Sequence, residues 1–124
     1  MSSETAAQRT YIHRAAERYS IGQKAEVHNA YSGMAEREAF ACVLDDLSTG
    51  GARITTEHPF DTGDTVQVVV QLSAAGAHWK LYGSIVWKRK LCEEGMSYGI
   101  CFASLPPKEE ALLFKELSRF ESRA

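Results

Sequence analysis

From Gln23 onward, apolar residues recur at every second position in short runs, and each run is cut by a cluster of Gly, Pro, Ser or Asp. A backbone whose side chains alternate between two faces buries one face only when it is extended. This pattern therefore predicts an antiparallel β domain and excludes a helical bundle. The clearest run is TVQVVVQLS, which places Val66, Val68, Val70 and Leu72 on one face. Six strands are predicted: residues 23–30, 39–47, 52–57, 65–73, 78–90 and 97–105. The reversals between them fall in segments such as EHPFDTGD, where Pro59, Gly63 and the acids favour a turn. In the fifth run, HWKLYGSIVWKRK, Trp79, Leu81, Ile85 and Trp87 are expected on one face as core, and Gly83 is expected to mark a bulge or a barrel corner.

The period changes once, at PPKEEALLFKELSRFES. Pro107 suits a first helical turn, Glu109 and Glu110 suit the positive end of the helix dipole, and Leu113, Leu117 and Phe120 form a stripe at i, i+4 and i+7. Six short strands expose edges unless they close, so the fold class is mainly β: a six-stranded antiparallel barrel with a C-terminal helix lying against it. At 124 residues the chain suits one such domain. Residues 1–18 carry little apolar periodicity and read as a flexible N-terminal arm, with the barrel domain spanning 19–124.

Charge and cysteine usage exclude several classes of function. A net charge of -2 argues against general attraction to long nucleic acid or to an anionic membrane. The sequence shows no secretory leader and no apolar stretch of membrane-spanning length, so a cytoplasmic location is expected. Cys42, Cys92 and Cys101 are odd in number and lack zinc-like spacing. His13, His28, His58 and His78 stand singly. No metal, cofactor or catalytic site is expected, since no Ser/His/Asp or Cys/His arrangement, P-loop or paired acids are apparent, and the chain is read as a non-enzyme.

Two stretches carry chemistry. In DLSTGG, Asp46 and Ser48 are spaced by two and expected to face one patch. Gly50 and Gly51 permit positive φ and a close approach of backbone to a ligand. A carboxylate can accept from the N1 and N2 edge of guanine, and a hydroxyl and free N–H groups suit a phosphate or a base oxygen. Upstream, RAAER sets Arg14 and Arg18 four apart; a guanidinium can fork onto guanine O6 and N7 or onto phosphate. Together these groups describe a receptor for a guanine nucleotide.

RAAER followed by DLSTGG resembles the R-x-x-x-R and [D/N]-x-S-x-x-G motif pair of the PilZ domain family. GSIVW (83–87) and YGICF (98–102) resemble that family's fifth and sixth strands. The second motif alone arises by chance in roughly one chain of this length in twenty. It is the ordered set that carries the resemblance, over about residues 14–120. The resemblance implies a barrel that binds the bacterial second messenger cyclic di-GMP, usually as an intercalated dimer, and that signals to a protein target without catalysis. It places Arg14 and Arg18 on guanine and phosphate, Asp46 on a guanine Watson–Crick edge, Ser48 on a polar contact and Gly51 at the close approach. Arg53, outside the motif, is retained as an outer contact, and Trp79 as a base-stacking partner. Two alternatives remain at this stage: a PilZ-fold interaction subunit that binds no nucleotide, and an oligonucleotide-binding barrel, against which the acidic balance argues.

Overall fold

A computed structural model describes residues 18–30, 38–74, 76, 78–91 and 95–122. Among the described residues seven strands and one helix follow in chain order: β1 (Tyr19–Asn29), β2 (Ala39–Leu47), β3 (Gly51–Thr56), β4 (Thr65–Gln71), β5 (His78–Lys90), β6 (Met96–Phe102), α1 (Pro107–Leu117) and β7 (Glu121–Ser122). All pairings are antiparallel. The sheet order is β2-β3-β6-β5-β4-β1-β7, and β1 pairs β2 as well, which closes the first six strands into a barrel. Closure leaves those six strands no free edge.

The alternation read from sequence becomes the inside and outside of this barrel. Val66, Val68, Val70, Leu72, Leu44, Ile54, Leu81, Ile85 and Ile100 fill the interior and are buried. Tyr98, also fully buried, donates from its hydroxyl to the His58 carbonyl at 2.9 Å and accepts from the Phe60 N–H at 2.8 Å. That one side chain satisfies two backbone groups in the loop after β3, groups that are costly to bury unpaired. α1 starts at Pro107 with Glu109 and Glu110 in its first turn, and it buries Leu113 and Leu117 against the barrel. Phe120 packs there too, beyond the helix end.

The structure departs from the sequence reading in local features. β1 starts at Tyr19, not Gln23, because Gly22 takes φ +62° in an irregularity between Ser20 and Gln23 that interrupts the alternation. β7 was not anticipated; its two residues pair with Tyr19 and Ser20, beside the point where the expected arm joins the barrel. Gly83 is neither bulge nor corner. Pairing runs straight through it to Val66 and Phe102, and a Cβ there would meet the Cys101 carbonyl and Ile100, so close approach of β5 to β6 requires the glycine. The β5 bulge lies further on, at Val86.

Candidate functional site

Ser48 builds the turn between β2 and β3. Its hydroxyl accepts from the N–H groups of Gly50 at 3.1 Å and Gly51 at 3.0 Å, and its own N–H donates to the Gly51 carbonyl at 2.8 Å. The side chain is buried, so it fixes the loop from within and is not displayed on it. Positive φ is found, among the described residues, at Gly22 and Gly63 and not at Gly50 or Gly51. Gly51 meets a different need: a Cβ there would run into the Ile100 carbonyl of β6. The close approach is strand against strand.

A bulge sorts the two neighbouring acids. The register of β2 on β3 steps from Leu44 opposite Ile54 to Asp46 opposite Arg53, which leaves Asp45 as the extra residue. Strict alternation would send Asp45 and Asp46 to opposite faces. Instead, Asp45 accepts from the Thr55 hydroxyl at 2.6 Å and Asp46 from Arg53 Nε at 2.8 Å, and Thr55 and Arg53 share the outer face of β3. Asp46 is buried, its side chain 5% exposed, and Arg53 is half-buried. The hydrogen bond that Arg53 donates to Asp46 holds the guanidinium pKa above its ordinary value; burial opposes this and the Asp46 and Asp45 charges reinforce it. The expected shared patch of Asp46 carboxylate and Ser48 hydroxyl is therefore not formed, since one turns to Arg53 and the other into its own loop.

A second bulge brings in a residue that the alternation assigned to the core. β5 pairs Ile85 with Ile100 and then Trp87 with Gly99, skipping Val86. The extra residue moves Trp87 off the face that holds Trp79, Leu81 and Ile85 and onto the outer surface. There its indole lies over Gly99, where a Cβ would fall inside the ring. Across four strands the outer face thus reads Asp46, Arg53, Gly99, Trp87. Arg18, Lys88 and Arg89 complete the rim of an open hollow of about 640 Å³. Lys88 Nζ is shared with Asp61 Oδ1 at 3.3 Å and Arg53 with Asp46, so Arg18 and Arg89 tip the lining toward positive charge, which suits an anion.

Of the residues singled out in the sequence, the hollow gathers Arg18, Asp46 and Arg53. Arg14 lies outside the described residues. Ser48 and Gly51 shape the adjoining turn. Trp79 is placed elsewhere: its Nε1 donates to Glu116 of α1 at 3.0 Å, in a separate groove beside the helix. Trp87, Lys88 and Arg89 were missed, and the signal available was Gly99 in YGICF, a glycine in mid-strand opposite a tryptophan. A further hollow of about 660 Å³ near Phe40 and His58 contains none of the motif residues; there the His58 ring stacks on Phe40 at 3.6 Å. Among the described residues no His, Cys, Asp and Glu cluster could hold a metal, and no helix is long and apolar enough to cross a membrane.

Comparison with known proteins places this geometry. The sequence model of the PilZ domain matches residues 12–119. The PilZ domain of YcgR from Escherichia coli, solved with c-di-GMP, is similar in structure with a TM-score of 0.63 at 18% identity, over 86% of this chain and 91% of that one. A search of curated proteins returned no significant match.

Proposed function

The chain belongs to the PilZ domain family, and on that premise we propose that it is a cytoplasmic receptor for cyclic di-GMP that passes the signal to a protein target. One observation carries the reading: the hollow beside the DLSTGG turn brings Arg18, Asp46, Arg53 and Trp87 together with Lys88 and Arg89. Cyclic di-GMP offers two phosphate charges, two guanine edges and two large π faces. Cations, a carboxylate and an indole are the groups that match them. The structural likeness to a PilZ domain solved with that ligand supports the same reading.

Residues 1–18 act as the moving part in this proposal, and 19–124 as the rigid one. Arg18 immediately precedes Tyr19 and Ser20, which are held between β2 and β7, so the root of the arm is fixed at the rim of the hollow. Ligand bridging Arg14 and Arg18 to the barrel draws the arm across the surface, and charge-assisted bonds made only in the bound state supply the free energy. The covered surface is what the target reads. No step requires bond-making chemistry.

Isothermal titration of the full chain with cyclic di-GMP, cyclic di-AMP and GTP tests this. Saturable binding of cyclic di-GMP at micromolar concentration or below is expected, with the other two at least tenfold weaker (on the order of 1.4 kcal/mol). Equal affinity for all three, or no heat for any, overturns it.

A further inference from the structure

We infer that residues 78–82 of β5 and the face of α1 beside them form a docking groove for an extended, basic segment of a separate protein, which adds to β5 as a strand. The groove shares no residue with the hollow, so this inference does not rest on the cyclic di-GMP reading.

Closure covers a strand along the length that is paired, and β5 outruns β6 at one end. Its register with β6 begins at Gly83, whereas β5 begins at His78. Beyond Phe102 the chain leaves the sheet: Ala103 still donates to the Tyr82 carbonyl at 2.8 Å, and Pro107 then opens α1. That bond fixes which backbone groups face the gap. The N–H and C=O of every second residue point to the same side of a strand, and the pairing of β5 with β4 runs unbroken from Ser84 to His78. Tyr82, Lys80 and His78 therefore turn their backbone groups away from β4. Those of Lys80 meet no backbone partner among the described residues. An unpaired stretch of this kind is a template for another strand.

The groove sets the chemistry of what fits. It encloses about 520 Å³ and is lined by Trp79, Tyr82 and Leu105 together with Glu109 and Glu116 of α1. Leu112 shares a helix face with the two glutamates, and it and Tyr82 are 53% and 46% exposed, large apolar side chains that the described residues leave open. Trp79 shows where alternate side chains of an added strand point. Its indole donates to Glu116 at 3.0 Å, so residues on that face of the new strand reach the α1 carboxylates. Neither glutamate makes an ion pair among the described residues. Arginine or lysine at every second position of the segment answers them. A second copy of the chain fits less well, because two-fold pairing of the overhang about its centre sets Lys80 against Lys80.

The probe is a blocked heptapeptide alternating valine and arginine, titrated into the ¹⁵N-labelled full chain. Saturable amide shifts centred on residues 78–82 and α1 are expected, with a Kd on the order of 100 μM, and the counterpart with glutamate for arginine should bind roughly tenfold more weakly or worse. Only one edge of the added strand meets β5. N-methylation of one alternate set of its residues should therefore weaken binding roughly tenfold, and methylation of the other set less than about threefold. Equal effects of the two, or no shifts at about 1 mM peptide, overturn strand addition. Lys80→Pro, which removes the outward N–H and spares the β4 ladder, should keep thermal unfolding near wild type and lose roughly tenfold in affinity. Glu116→Gln, whose amide oxygen can still accept from Trp79, should lose roughly 2- to 5-fold. Undiminished binding by Lys80→Pro overturns the pairing, and the peptide series on wild type decides alone if that variant does not fold. Hydrogen exchange of the free chain separates other occupants, with rapid exchange of the Lys80 N–H expected. Protection that grows with protein concentration assigns the groove to a second copy, protection at every concentration assigns it to the chain's own residues, and either overturns docking of a separate protein.

Discussion

Replacing Gly99 with alanine should dismantle the site without dismantling the barrel. The new methyl group would occupy the space now held by the five-membered ring of Trp87, and because the indole stands on the outer face it can swing into solvent. A fully buried tryptophan covers 150–250 Å², so a half-buried one gives up roughly 100 Å² when displaced. At about 25 cal/mol per Å² that is about 2.5 kcal/mol. Restricting the unfolded chain by removing a glycine offsets roughly 0.5–1 kcal/mol. The net loss is about 2 kcal/mol, or roughly 6–10 °C in Tm for a domain of this size. The effect on ligand is larger in proportion: a lost base stack costs roughly 1–3 kcal/mol, about 5- to 150-fold in Kd. Calorimetric titration with cyclic di-GMP measures it. Emission of Trp87 in a Trp79→Phe background reports the displacement separately, since the chain has two tryptophans. A Gly99→Ala protein with solvent-exposed Trp87 emission and wild-type affinity would refute the claim that the indole forms part of the site.

Other substitutions separate the scaffold from the hollow. Val68→Ala, at a fully buried interior position, should lower stability by about 2 kcal/mol in urea unfolding and leave cyclic di-GMP affinity nearly intact. Tyr98→Phe removes the hydroxyl that serves the Phe60 N–H and the His58 carbonyl and should cost about 2–3 kcal/mol, read by thermal unfolding. Burial, with Asp45 and Glu26 adding to it, pushes the Cys42 thiol from 9.0 up to about 12. The unfolded chain therefore loses this proton first, and between pH 9 and 12 stability falls as pH rises, by up to about 1.4 kcal/mol per unit from this group. Cys42→Ala should show a shallower fall, and alkylation at pH 8 should mark the exposed Cys101 before Cys42.

Most of the barrel was legible because its interior obeys period two: β2 and β5 end where the alternation and the turn residues say they should. The C-terminal helix was legible through Leu113 and Leu117. What escaped are the places where the alternation slips by one residue. A bulge has no dedicated residue type, and the ones at Asp45 and Val86 are set by pairing with β3 and β6, which a linear reading does not contain. Each slip changes which face the following residues occupy, so Trp87 was assigned to the interior and the Asp46 carboxylate to an open patch. Part of the site shared that fate. Arg18 and Asp46 were visible from their motifs, whereas Lys88 and Arg89 join them only because β5 reaches across β6. His58 shows the same limit: a histidine with no spaced partner in sequence is stacked on Phe40, eighteen residues before it.

The central claim is that cyclic di-GMP seats on the outer face between β2 and β5. Amide chemical-shift mapping of the ¹⁵N-labelled full chain during titration tests it most directly. The account predicts that the largest shifts fall on Arg18, Asp46, Arg53, Gly99, Trp87 and Arg89, with the Trp87 indole N–H among them. Shifts centred on Phe40, Cys42 and His58, or on Trp79 and α1, would contradict it.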